Sequence, residues 1–444
     1  VLRRQECHLV YAAVGDGVGR GVRRLDARLN NAWNRDEWKR GGRPTRRKLG
    51  RASVVFMSSH TGAFARGETA HHLLVVDELQ DQDAAHLQAV FEPMRAATNA
   101  TAVYLGTART TYDALWRKKE ELERLEARDG VRRVFLVGPE AVCAENGDYA
   151  RFLAGQIKRH GRRHPLIASE YFLEPLDAEA GLFPERRLKL MQSGRAARLK
   201  SGSDGELYVA TLDVAGIDEA TTDPAVALEN PARDYTTCTI FRVRTDSMSD
   251  GRFDYDAVDT AVSESDSDGG QKALKSDHRQ RFTAPSPIYE AVDVFVDQGS
   301  AHFREGGDGR GPGRARQLLA FLRHWGVAHV VGDATGVGEG LVNWLTAALG
   351  PQRVTGFKFT QRSKAQLGAD FLALVETNRF KYFAVEQAFD DAWWFFEQAR
   401  QCAYELEPGR PMQTHLRWFV PASARVSAPA GNVLLHDDRL VSAV

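Results

Sequence analysis

From residue 53 to about 137, short apolar runs alternate with longer stretches of helical periodicity: SVVFM, LLVVD, a helical pattern over about 84–97, AVYLG, another over about 111–127, and VRRVFLV. Apolar runs of four or five residues without polar alternation suit strands covered on both faces, and strands separated by helices pair in parallel. The pattern predicts a parallel sheet with helices on its two sides. A further helix is predicted over 147–163, ending in the basic run KRHGRRH. Residues 174–205 are charged, glycine-containing and weakly periodic, as a linker would be.

A second unit starts at ELYVATLDVAG, residues 206–216. TTCTIFRVR at 236–244 and IYEAVDVFV at 288–296 also read as strands. Between these last two, 246–287 is rich in Asp, Ser and Gly with almost no apolar periodicity, the signature of a flexible insertion. A helix over 312–325, the strand HVVGD at 329–333, a helix over 338–349, a strand over 353–358 and helices over 364–377 and 386–400 follow. The chain runs out within another helical pattern. At 444 residues the chain exceeds one ordinary core, and about 150 residues per domain predicts two or three.

Lys plus Arg and Asp plus Glu both number 59, so no overall basic excess advertises a nucleic-acid binder. The charge is patchy: residues 37–51, EWKRGGRPTRRKLGR, hold seven Lys or Arg, and 186–200 hold six more. Beside a DNA enzyme both stretches become candidate phosphate contacts; otherwise they read as solvated faces. Cys7, Cys143, Cys238 and Cys402 are far apart, with no C-x-x-C pair, which points to neither a zinc site nor a disulfide framework. No apolar run approaches the roughly 18 residues of a membrane span, and no signal peptide is visible.

Chemistry concentrates at two places. In LLVVDELQDQD, residues 73–83, a buried strand delivers Asp77 and Glu78 to its carboxyl end, where parallel sheets bind ligands. Such a pair suits ATP hydrolysis, with Asp77 holding magnesium and Glu78 polarising the attacking water. AVYLGTART would place Thr107 beside the pair on the neighbouring strand, and Arg66, eleven positions before Asp77, offers a guanidinium for a transferring phosphate. The phosphate cradle G-x-x-x-x-G-K-[ST] is absent from all 444 residues; GDGVGRG at 15–21 has no Lys-[ST] after it. In the second unit Asp213 and Asp333 each end a strand, and Asp437–Asp438 open a helical pattern. If the two strands are neighbours and parallel, these carboxylates meet at one edge, where divalent cations about 4 Å apart would neutralise them for phosphodiester hydrolysis.

In this order the motifs resemble the large terminase subunit of tailed bacteriophages, the motor that packages and cuts DNA, and the likeness spans nearly the whole chain. LLVVDELQD resembles that family's Walker B motif and YLGTA its coupling motif, while DATGVG and HDD are similar to two acidic motifs of its RNase H-like nuclease. The resemblance implies an α/β protein: 1–173 as the remainder of a P-loop ATPase parallel sheet, 174–205 as linker, and 206–444 as an RNase H-like mixed-sheet nuclease with the insertion 246–287. It implies Asp77 and Glu78 as magnesium and catalytic acids, Thr107 as coupling residue and Arg66 as an arginine finger. Asp213, Asp333, Asp437 and Asp438 would be the catalytic metal ligands for two Mg2+ or Mn2+ ions. The expected activity is that of an endodeoxyribonuclease, with ATP and Mg2+ used by an intact relative. Its partners would be double-stranded DNA, the portal protein, the small terminase subunit and further copies in a homo-oligomeric ring, in the cytoplasm of the bacterial host, with no membrane. The family's Walker A motif would lie upstream of residue 1, so N-terminal truncation and an inactive ATPase are expected.

Two other readings compete. A superfamily 1 helicase also carries D-E-x-Q-D but needs a G-D-x-x-Q-type element on the next strand, where this chain has LGTAR. A non-catalytic terminase remnant would hydrolyse nothing, and metal binding separates it from a nuclease.

Overall fold

The structure, a computed structural model, describes residues 6–41, 45–61, 67–176, 181–195, 205–215, 235–244, 287–298, 313–406, 416–428 and 431–444. The chain divides into two compact units: Val1–Leu153 with Pro165–Asp177 and Glu407–Arg410, and Ala154–His164 with Ala178–Leu406 and Pro411–Val444. Arg66 and the insertion 246–287, save for its last residue, lie outside the described residues.

The first unit is built on a six-stranded sheet in the order β2-β3-β4-β1-β5-β6. Strands β4 (Ala52–Ser58), β1 (Cys7–Ala13), β5 (Leu73–Val76) and β6 (Thr101–Tyr104) run parallel. β2 (Trp38–Arg40) and β3 (Arg46–Leu49) add an antiparallel hairpin. Val10, Ala12, Val55, Leu74 and Val76 pack with Leu79, Leu87 and Phe91 from the helical turns after β5. Each fully buried large aliphatic or aromatic side chain stabilises the unit by about 1.5–3 kcal/mol.

One expected strand is absent. VRRVFLV is irregular, with Phe135, Leu136 and Val137 all exposed. The carboxylate of Glu126, in helix α2 (Ala114–Asp129), accepts the amides of Arg133 and Val134, diverting them from a ladder. Among the described residues β6 pairs with β5 alone, so VRRVFLV adds no strand to its open edge.

The second unit has a mixed sheet in the order β11-β10-β7-β8-β9-β12, its last strand being the short β12 (Phe380–Lys381) parallel to β9. β7 (Leu207–Asp213), β8 (Tyr235–Arg244) and β9 (Ile288–Gln298) are antiparallel neighbours. β10 (His329–Asp333) and β11 (Val354–Phe357) extend the sheet in parallel from β7. Side chains alternate between sheet faces. Tyr208, Ala210 and Leu212 of β7 therefore join Leu318 and Leu322 of helix α5 (Arg314–His324) and Leu341, Val342 and Leu345 of helix α6 (Gly338–Leu349) in one core. Thr211 and Asp213 belong to the opposite face.

Part of the stretch 174–205 is ordered. Helix α4 (Glu185–Met191) buries Leu188, Leu190 and Met191 within the second unit and sends Arg186 and Arg187 to Glu376 at 2.8 and 2.7 Å. Glu376 ends helix α7 (Gln361–Glu376) and is 2% exposed. Gly161, at φ +86, lies so close that any Cβ would strike the Glu376 side chain. Burial pushes the Glu376 pKa up, but Arg187 and Arg186 outweigh it and leave the carboxyl below its ordinary range.

A depressed carboxyl pKa contributes stability that is complete above the unfolded value, near 4.5, and is lost as pH falls through the folded one. Glu376→Ala is expected to destabilise the second unit by about 2–3 kcal/mol at pH 7. That is the low side for removing one partner of a buried pair, because the arginines reach solvent. Chemical denaturation of parent and variant should show the difference shrinking below pH 4.

Candidate functional site

The carboxyl edge of the second sheet collects acids from three parts of the chain. β10 pairs in parallel with β7, Gly332 level with Leu212, so the next residues, Asp333 and Asp213, stand side by side at the same strand ends. Asp333 accepts the amide of Thr335 at 2.7 Å, which starts the turn into α6. Asp437 and Asp438 arrive with helix α9 (Asp438–Ala443). That helix is pinned to the sheet face carrying Asp213: Thr211 donates to the Ser442 carbonyl, and the hydroxyls of Thr239 and Ser442 lie 2.9 Å apart. The Leu440 amide donates to Gln398 at 2.8 Å and Arg439 pairs with Asp391 at 3.0 Å, both acceptors in helix α8 (Asp391–Gln401). Asp438 is buried; Asp213, Asp333 and Asp437 are half-buried.

These charges act on one another. Burial, then Asp438, Asp437 and Asp333, push the Asp213 pKa well above the ordinary carboxylate range, and Lys364 only partly offsets them. Four oxygen donors under such mutual repulsion fit a hard divalent ion such as magnesium or manganese. Among the described residues no three His, Cys, Asp or Glu side chains are drawn close enough to hold an ion, so binding requires the carboxylates to turn inward.

The first sheet has its own acidic edge. Asp77 and Glu78 follow β5, and the Asp77 carboxylate accepts the hydroxyl of Tyr11 from the neighbouring β1. Glu78 adopts the left-handed conformation at φ 52, ψ 52, a strained geometry for a non-glycine residue and one that recurs at functional sites. Gln80 donates to Glu78 at 2.6 Å, and its side-chain amide oxygen occupies the space a Cβ on Gly106 would take, at a position whose φ of +154 favours glycine. Beyond Gly106, Thr107 joins Arg20, Glu78, Gln80, Asp81, Arg109 and Glu170 around a cavity of about 320 Å3. Arg109 is held by Asp81 at 2.5 Å and Glu170 at 3.0 Å.

Each unit therefore carries its own candidates at a sheet edge: Glu78 and Thr107 line one cavity in the first, and Asp213, Asp333, Asp437 and Asp438 share the β7–β10 edge in the second. Several neighbours escaped the sequence reading. Arg20 lies in GDGVGRG and Arg109 in LGTART, both within quoted stretches but without a spacing that assigns them a role. Lys364 had no local signal. The basic stretches are partly internal: Arg46 pairs with Glu68 at 2.6 Å, buried Arg47 with Asp26 at 2.5 Å, and Arg186 and Arg187 with Glu376. No helix of the described residues is long and apolar enough to cross a membrane.

No protein-family model matches the sequence, and no curated protein matches it. Among solved structures the chain is similar to the large terminase of the thermophilic bacteriophage D6E, at 10% identity over 100% of this chain and 86% of that one, with a TM-score of 0.39. It is similar to the HK97 bacteriophage large terminase at 12% identity over 99% and 83%, TM-score 0.31. The large terminase nuclease of the thermophilic phage G20c, solved with bound magnesium, matches at 13% identity over 59% of this chain and 93% of its own, TM-score 0.34. At such identities and superpositions, what this chain does has to follow from its own residues.

An acid whose folded pKa is raised contributes stability below its unfolded value and loses it as pH rises through the folded one. Holding the Asp213 carboxyl at this edge therefore costs stability at pH values where the unfolded chain has it ionised. Asp213→Asn is expected to raise the stability of the second unit by about 0.5–2 kcal/mol at pH 7.5 without divalent cations. Denaturation at pH 7.5 and pH 3.5 should show the gain vanishing in acid.

Proposed function

We propose that this chain is a large terminase subunit whose second unit is a divalent-cation-dependent endonuclease for double-stranded DNA. The observation that carries the reading is the convergence of Asp213 and Asp333, ends of adjacent parallel strands, with Asp437–Asp438 on a helix pinned to the same sheet face. Four carboxylates gathered at a strand edge cost stability, and recognition of an anionic backbone gains nothing from them unless cations intervene.

Asp213, Asp333 and Asp437 or Asp438 would hold the ions, with the Thr335 amide fixing one oxygen of Asp333. Magnesium or manganese supplies, when bound, the Lewis acidity for in-line hydrolysis of a phosphodiester. The chain's own contribution is placement. Strand register sets Asp213 level with Asp333, and the bonds of Ser442 and Arg439 keep Asp437–Asp438 against them.

The first unit is read as the acid-bearing part of an ATP site: Asp77 for magnesium, Glu78 for the attacking water, Thr107 for coupling, and Arg66 as a candidate arginine finger. The G-x-x-x-x-G-K-[ST] segment that would cradle the phosphates is not among residues 1–444, and the nuclease is the activity whose residues the chain carries most fully. ATP hydrolysis would drive DNA into the capsid. The same reading includes the portal protein, the small terminase subunit, a homo-oligomeric ring and the host cytoplasm.

Purified protein should nick and linearise plasmid DNA in Mg2+ or Mn2+ and stop when EDTA removes the metal. Asp333→Ala should slow cleavage at least about 100-fold while melting like the parent. Equal cleavage by both proteins, or none by either with no metal bound in calorimetry, contradicts the reading and favours a non-catalytic remnant.

A further inference from the structure

Lys364 stands in the first turn of α7, where a cation opposes the helix dipole, so helix stability does not account for it. The start of that helix is fixed by a capping box between Thr360 and Ser363. The Lys364 carbonyl accepts the indole N–H of Trp418 at 2.8 Å. Trp418 belongs to β14 (Leu416–Phe419) and is buried, and Gly368, one turn beyond Lys364, lies so close that any Cβ would strike its ring. Helix and strand thus hold the base of the lysine rigidly.

Its ammonium is then carried to the acidic edge. Nζ lies 4.9 Å from the centre of the Trp418 ring and 3.7 Å from Asp437 Oδ2. Both partners of that pair are one-third exposed, so the contact is loose and reachable from solvent. A compact ammonium with rotatable donors can exchange a carboxylate for a phosphate oxygen without moving its backbone, which a planar guanidinium does less readily.

We propose that Lys364 is an exchangeable cation of the nuclease site: it pairs with Asp437 in the absence of divalent ions, yields that carboxylate when an ion binds, and transfers its ammonium to a non-bridging oxygen of the scissile DNA phosphate. The inference rests on the nuclease reading above. It makes Lys364 a competitor of the metal and, at the same time, a partner of the substrate.

These two roles move two measurements in opposite directions. In calorimetry without DNA, Lys364→Met should bind Mn2+ about two- to fivefold more tightly than the parent, the change expected for releasing a partly exposed ion pair. In single-turnover cleavage at saturating Mn2+ it should be at least about tenfold slower. Lys364→Arg should recover part of the rate but not all of it, and Lys364→Gln should behave as Met does, supplying the comparison if the Met variant folds poorly. Unchanged cleavage at saturating metal overturns the inference, as does metal affinity that falls together with the rate. A parent that binds Mn2+ but cuts nothing overturns the nuclease reading itself, whereas a parent that cuts beside an equally active Lys364→Met overturns this inference alone.

Discussion

Repulsion among Asp213, Asp333, Asp437 and Asp438 is the constraint around which the second unit is arranged. Parallel pairing of β7 and β10 makes two of these neighbours unavoidable, because strands in register end together. The other two are brought by a six-residue helix that would have little stability alone. It persists through tertiary contacts: Ser442 to Thr211 and Thr239, Leu440 to Gln398, and Arg439 to Asp391. Burial first, and then the acidic neighbours, push Asp213 upward, and the second of these is the cost of the gathering. An apolar core of α5 and α6 on the far face of the sheet supplies the stability that offsets it.

The first unit follows the same architectural rule with a different consequence. Its acids also sit past the carboxyl end of a parallel strand, but hydrogen bonds rather than mutual repulsion organise them. Tyr11 holds Asp77, Gln80 holds Glu78, and Gly106 admits Gln80 so that Thr107 can face the same cavity. The left-handed backbone of Glu78 is strain retained at this point. Arg20 and Arg109 offset part of the negative charge that Glu78, Asp81 and Glu170 bring to that cavity.

Much of this was legible in the sequence where local pattern and tertiary pairing agree. HVVGD and the helix after it were read at their observed bounds, because a buried run closed by Asp and glycine leaves little choice. The meeting of Asp213 and Asp333 was expected conditionally, and strand order supplies the missing condition. VRRVFLV shows the converse, since a β-rich run without a partner strand does not form a ladder. CHLVYAA, central to the first sheet, went unrecognised because His8 and Tyr11 interrupt its apolar character. His8 is accommodated by Ser53 at 2.7 Å and Tyr11 by Asp77, contacts made only once the sheet exists. Lys364 was hidden for a similar reason: its partner Asp437 is far away in sequence, and no local rule links the start of one helix to the residue that caps another.

The central claim, that the edge shared by β7 and β10 is a divalent-cation site, is most directly tested by crystallography with manganese and anomalous scattering. The account predicts anomalous peaks bounded by Asp213, Asp333 and Asp437–Asp438, with the carboxylates turned inward from the positions described above. Strong manganese peaks elsewhere, with this edge empty and its carboxylates unmoved, would contradict it.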